Sequence, residues 1–214
     1  MKVYTHFYYV GKDSFRWRTL LQCGDSWNII GTIVMKNPGT AAPKSIVEDA
    51  NILSHLSKFD KSNDDWYEFG ADSTMICVGE LFAFYYDKHN SKELNGVIQI
   101  FNLFYLKDAN LLSALNKDRN ASWCRFDSEQ EMLVYDIKHL KMPIYLGFAD
   151  VAFKKKYRKS AECFFNEAKK LGMNYCCPEF DCNKFIHPQY LMLFGKNKNE
   201  CTKVRNNFKN NTCA

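Results

Sequence analysis

The chain has 214 residues, 46% of them apolar and 15% aromatic, enough to bury one sizeable core and with nothing that demands two. No run approaches the ~20 apolar residues of a membrane-crossing helix, and no basic start leads into an apolar stretch with a cleavage site, so a soluble, cytoplasmic protein without a membrane partner is expected. Nine cysteines at irregular spacing suit reduced thiols better than a secreted disulfide framework. The formal charge of +5 gathers in residues 196–214, where Lys196, Lys198, Lys203, Arg205 and Lys209 face Glu200 alone. Residues 1–195 are therefore expected to form a single α/β domain, and 196–214 a basic, Asn/Lys-rich extension that is mobile.

Residues 3–10 and 15–23 read as two strands about a Gly11-Lys12-Asp13 turn, a hairpin placed ahead of the main sheet. Ile29–Met35 is a continuous β-branched run and reads as a buried parallel strand. Residues 44–58 carry Ile46, Val47, Ala50, Leu53 and Leu56 on one helical face, and 57–67 is polar and loop-like. Asp72 or Ser73 can cap the next helix, which carries Met75, Val78, Leu81, Phe82 and Tyr85 and leads to a strand over 97–106. Helical patterns follow at 108–115 and 128–140, then a strand at 144–148. The clearest helix spans 150–171, with Tyr157, Ala161, Phe164, Ala168 and Leu171 at helical spacing and Gly172 as its stop. Residues 173–177 and a strand within 185–194 close the chain. Alternating strands and helices predict an α/β fold, a three-layer sandwich around a central, mostly parallel sheet.

Three segments carry the candidate chemistry. Ile29–Met35 stops in an Asn37-Pro38-Gly39 corner, which leaves the Asn37 side chain and the amides of Gly39 and Thr40 beyond the sheet, where open α/β sheets bind ligands. Asn102 lies within an aromatic-rich strand, where a buried amide is costly unless paired. His187 follows a third apolar run. Asn37, Asn102 and His187 are expected to share one site. Phe101, Phe104 and Tyr105 can stack a base or simply fill the core. Lys154, Lys155 and Arg158 can meet a nucleic-acid backbone, with salt-sensitive binding, or form a solvated helix face. Cys176, Cys177 and Cys182 lack the paired spacing of a zinc site. No metal or cofactor is expected, and the chain has no nucleophile elbow, Walker loop or dinucleotide fingerprint.

Val34-Met-Lys-Asn-Pro-Gly-Thr-Ala41, Asp72-Ser-Thr-Met-Ile-Cys77, Phe101-Asn-Leu-Phe104 with Asp108 beyond it, and His187-Pro-Gln-Tyr-Leu191 occur in that order. Over residues 15–195 the series resembles a bacterial family known as domain of unknown function 1643. That family is similar in motif layout to the uracil-DNA glycosylase superfamily, whose mismatch-specific and thymine members have an Asn-Pro-Gly turn, a middle strand ending in Asn, and a late His-Pro pair. The resemblance implies a glycosylase-like topology. It implies that Asn37 positions the attacking water, that Asn102 reads the edge of a flipped base, and that His187 stabilises the departing base anion. Gly39, Thr40 and Phe104 would complete the base pocket, and DNA would be the partner.

Three departures qualify the pattern. Asn37 stands where the fastest uracil glycosylases place a carboxylate, Gln189 follows His187-Pro188 where a Ser usually begins the DNA-penetrating loop, and no cluster-binding cysteine spacing is present. The expected function is a DNA glycosylase-like protein that recognises a flipped, unusual or modified base and hydrolyses its N-glycosidic bond, in repair or phage defence. A non-catalytic module for a nucleobase, nucleotide or DNA, and a hydrolase of free nucleosides or nucleotides, are the alternatives. Oligomeric state is left open.

Overall fold

The computed structural model describes residues 1–39, 41–108, 110–117, 125–195 and 197–213, with the side chain of Cys182 excepted. Seven strands form one sheet: β1 (Lys2–Val10), β2 (Asp13–Cys23), β3 (Ile29–Met35), β4 (Pro43–Ile46), β5 (Trp66–Phe69), β6 (Gly96–Asn102) and β7 (Ile144–Gly147). Their order is β4-β5-β1-β2-β6-β3-β7. β3 runs parallel to β6 and β7, whereas β1–β2, β1–β5, β2–β6 and β4–β5 are antiparallel. The sheet is thus mixed, not mostly parallel. Nor does the hairpin stand ahead of the sheet: β1 and β2 lie in its interior, because the far edge of β2 pairs with β6 and that of β1 with β5. The alternation of Arg16, Arg18 and Gln22 with apolar residues suggests a strand with a wet face, but both faces are covered and all three are buried.

Cross-strand neighbours sort into two packing clusters by the period-2 rule. Leu21 and Ile98 pack with Val78, Leu81 and Phe82, whereas Leu20 and Val97 pack with Leu56 and Trp66. The first cluster takes the helix α2 (Ser73–Tyr85) and the second the helix α1 (Ala50–Leu56). Asp72 caps α2 as expected, its carboxylate accepting from the Met75 amide. The helix expected over 44–58 begins only at Asp49, whose side chain accepts from the amides of Asn51 and Ile52; residues before that cap form β4 instead. β5 sits at the end of the stretch read as loop.

Beyond β6 come α3 (Leu111–Lys117), α4 (Glu129–Lys138) with Ser128 as its cap, and α5 (Arg158–Lys170). The expected helix over 150–171 is broken: a 3₁₀ turn at Ala149–Phe153 ends with Lys154 extended, and α5 starts four residues later. Lys154, Lys155 and Lys156 therefore precede α5, which itself opens on Arg158 and Lys159 with no acidic residue in its first turn. No strand forms over 173–177 or 185–194; Pro188 has no amide to give a ladder, the Leu191 amide donates to the His187 carbonyl at 3.0 Å, and a π-helical turn spans Tyr190–Phe194.

The C-terminal segment is a helix, α6 (Asn199–Asn210), not a mobile extension. Cys201, Val204 and Phe208 are buried, and the Phe208 ring sits 5.0–5.8 Å from those of Phe82, Tyr85, Tyr145 and Tyr175. Asn211, left-handed at φ 51°, ends the helix, accepts from the Asn174 amide and donates to the Gly172 carbonyl. Among the described residues no helix is long and apolar enough to cross a membrane.

Candidate functional site

A cleft of about 810 Å³ opens beyond the carboxyl ends of β3 and β7. Its walls come from Arg16 of β2, the turn after β3 with Lys36, Asn37 and Gly39, the start of α2, Asp108, Asp150, and the late segment carrying Phe185, His187, Tyr190 and Phe194. Two close approaches hold the walls together. A Cβ on Gly39 would lie 3.0 Å from an Asp72 carboxylate oxygen, and one on Gly147, the last residue of β7, 3.0 Å from the Pro188 ring. The late segment is fastened from below: Tyr145 donates its hydroxyl to the Ile186 carbonyl at 2.7 Å, and the Ala149 amide donates to the Phe185 carbonyl at 2.7 Å. Across the mouth, the Gln189 amide donates to Ser73 Oγ at 2.6 Å.

Asn37 and His187, distant in sequence, both line this cleft. The Asn37 Nδ2 donates to the carbonyls of Pro38 (3.0 Å) and Asp108 (3.2 Å). Two carbonyl neighbours fix that end as the donor and leave Oδ1 as the acceptor. His187 is half-buried, and its ring has no hydrogen-bond partner among the described residues. Burial, and then the charge of Lys36, push its pKa down to about 3, so the imidazole is neutral at physiological pH and carries one N–H donor and one acceptor.

Three cations in the cleft stand without ion pairs among the described residues: Arg16, Lys36 and Lys198, the last with its Nζ 5.5 Å from the Tyr190 ring centroid. Arg16 is 2% exposed, with its guanidinium 5.8 Å from the Phe69 ring centroid and with neither Nε nor Nη1 hydrogen-bonded. Burial lowers its pKa to about 10, against a smaller opposing effect of Asp72, which leaves it charged. Lys36 is likewise lowered by burial, which Asp150 opposes. Two of the four carboxylates that line the cleft have other work. Asp72 caps α2, while Asp108 accepts from the Asn110 amide, Ser113 Oγ and Lys117 Nζ. Burial works against ionisation of Asp108, yet those bonds hold its pKa below the usual range.

The remaining expected residues lie elsewhere. Asn102 is 1% exposed at the end of β6, in register with Met35, and it does not line the cleft; its Oδ1 is buried without a partner. Phe104 is fully buried against Tyr157, with ring centroids 5.0 Å apart, and has no face to offer a base. Lys154, Lys155 and Arg158 are exposed but outside the cleft, and Arg158 pairs with Glu162 at 2.8 Å. Thr40 falls outside the described residues.

Sequence reasoning missed Arg16, Lys36, Tyr190 and Phe194. The signal for the last two is their i, i+4 spacing, which reads as one helical face; they are 53% and 64% exposed on the cleft wall, with ring centroids 6.2 Å apart and Lys198 Nζ 5.5 Å from the Tyr190 ring. A second polar cluster is enclosed instead. His6 meets Asp60 at 3.1 Å, Asp60 accepts from Tyr135 at 2.7 Å, Tyr105 donates to Asp136 at 2.5 Å, and Arg18 donates to the Phe59 carbonyl. Burial pushes the Asp136 pKa up to about 8. Among the described residues no group of three or more His, Cys, Asp or Glu side chains is placed to hold a metal ion. No protein-family model, curated protein or solved structure matches the chain.

Proposed function

We propose that the cleft recognises a nucleobase and hydrolyses its N-glycosidic bond. The observation that carries this reading is the meeting of Asn37 and a neutral, unpaired His187 on one cleft wall. A departing base gathers negative charge on a ring oxygen or nitrogen, and the N–H of a neutral imidazole can donate a hydrogen bond to that charge. The Asn37 Oδ1 is an acceptor that can orient the attacking water, and Tyr190 and Phe194 offer stacking faces in place of the buried Phe104. Helices on both faces of the sheet and a cleft at the ends of parallel strands support a glycosylase-like, three-layer topology and the likeness to the domain of unknown function 1643 family as parts of the same proposal.

The resemblance puts the base in DNA. The placement of the charges favours a small ligand instead, because Lys154, Lys155 and Arg158 stand away from the cleft while Asp72, Asp108, Asp150 and Glu200 line it. Carboxylates spread along a groove oppose an extended phosphate backbone, whereas Arg16 and Lys36 in the same lining can meet a single anionic group. A purely recognising role is the second reading, favoured by the Asn37 amide group being committed to two backbone carbonyls.

The test incubates the protein with nucleosides, nucleotides, and duplex and single-stranded oligonucleotides carrying uracil, hypoxanthine, mismatched thymine or modified cytosines, and follows free base by chromatography. His187→Ala should lower base release by about 10²–10³ through loss of the leaving-group donor, with Asn37→Ala also impaired. Base release unchanged in both variants would refute the assignment, and ligand binding without release would establish the recognising role.

A further inference from the structure

We infer that Arg16 anchors an oxyanion subsite in this cleft that takes the phosphate monoester of a free nucleotide, an inference that rests on the base-recognition reading and names its substrate class. A guanidinium 2% exposed with two nitrogens lacking a hydrogen-bond partner among the described residues is an unusual thing for a fold to keep. Arg18, two residues along the same strand, is better satisfied: it donates from two nitrogens to the Phe59 carbonyl within an enclosed polar cluster and leaves only Nη1 without a partner. Arg16 faces the cleft instead. Its nearest electrostatic partner, Asp72, forms no ion pair with it and is held by the Met75 amide. Lys36, also on the cleft wall and also without an ion pair among the described residues, adds a second cation. A phosphate monoester supplies what this guanidinium lacks, an anion with several acceptor oxygens matched to a planar fork of donors. Tyr190 and Phe194 leave aromatic surface in the same cleft for the base.

The experiment measures binding by calorimetry and thermal shift on the full chain, using inorganic phosphate, ribose 5-phosphate, and four nucleosides alongside their 5′-monophosphates. Inorganic phosphate should stabilise the wild type and leave Arg16→Met unmoved. Each monophosphate that binds should do so about tenfold or more tightly than its nucleoside, a difference that Arg16→Met erases. Because Arg16→Met retains contact with Phe69 and removes an unpaired buried charge, it should melt at or above the wild type; Arg16→Gln, with a neutral polar head, serves as the second variant. Phosphate binding equal in wild type and both variants, or none in the wild type, overturns the subsite. Nucleosides that bind wild type and variants alike, without phosphate binding, overturn the subsite and leave base recognition standing. Phosphate binding that depends on Arg16, with no binding of any nucleoside or base, supports the subsite and removes the base reading.

Discussion

Acidification tests whether His187 is held as a neutral donor in the fold. In the unfolded chain the imidazole takes up a proton near its ordinary value of 6.5, whereas in the folded protein burial, followed by the charge of Lys36, holds it at about 3. Between those values the unfolded state binds more protons, so the stability associated with His187 is intact above 6.5 and falls as the pH drops towards 3. At ~1.4 kcal/mol per pH unit, going from pH 7.5 to pH 5 removes about 2 kcal/mol. For a chain of this length that is a fall of about 4–8 °C in Tm. His187→Gln removes the titration and keeps a polar head, so the difference between wild type and variant, measured by urea and thermal melts at both pH values, isolates this ring. His139, whose pKa is also lowered by burial, cancels in that difference. NMR titration of the ring gives the same quantity directly. An identical pH dependence in the two proteins, or a His187 ring that protonates near 6.5, would refute the argument and with it the role of His187 as a pre-neutralised donor.

Phe208→Ala should destabilise by about 3–5 kcal/mol in denaturant melts, the range for emptying a packed aromatic site; a C-terminal segment without tertiary contacts would show no change. Asp136, buried beneath Tyr105 with its pKa raised from 3.8 to about 8, contributes stability that is complete below 3.8 and is lost as pH rises through 8. Asp136→Asn should therefore flatten the stability profile across that window, where the wild type loses up to ~1.4 kcal/mol per pH unit. Parallel slopes for the two proteins would show that the carboxyl ionises freely in the fold.

What the sequence made legible followed from local rules, and what it hid was tertiary. β3 is a β-branched run that ends where the Asn-Pro-Gly corner begins, and α2 starts at its Asp72 cap, because strand bulk and capping act over a few residues. The antiparallel placement of β1 and β2 in the sheet interior depends on which edges they find, and no local pattern encodes that choice. α6 was legible in principle: Cys201, Val204 and Phe208 stand at helical spacing, but three apolar positions among many Asn and Lys residues lower the average below what composition can detect. Asn37 and His187 were found together because both end apolar runs. Arg16 was hidden for the opposite reason, since a lone charge in an alternating strand looks like solvent exposure until both faces of the sheet are known to be covered.

The asparagine at position 37 follows from the same arrangement. Its amide group donates to the Pro38 and Asp108 carbonyls, so the corner needs protons from this side chain to stay closed. A carboxylate there would bring no donor to those two oxygens and would add an anion to a wall that already holds Asp72, Asp108 and Asp150. Only an amide supplies both the donor that braces the turn and an acceptor oxygen left for the cleft. The charge pattern around it has the same logic: Asp72 and Asp108 are occupied by helix capping, amides, a hydroxyl and a lysine, while Arg16 and Lys36 stand without ion pairs. Among the described residues, the groups of the cleft wall left with open valences therefore include a buried guanidinium, an ammonium, a neutral imidazole and one amide oxygen, beside the Asp150 carboxylate whose charge acts on Lys36. The cations and donors of that set are completed by an anion bearing a hydrogen-bonding ring.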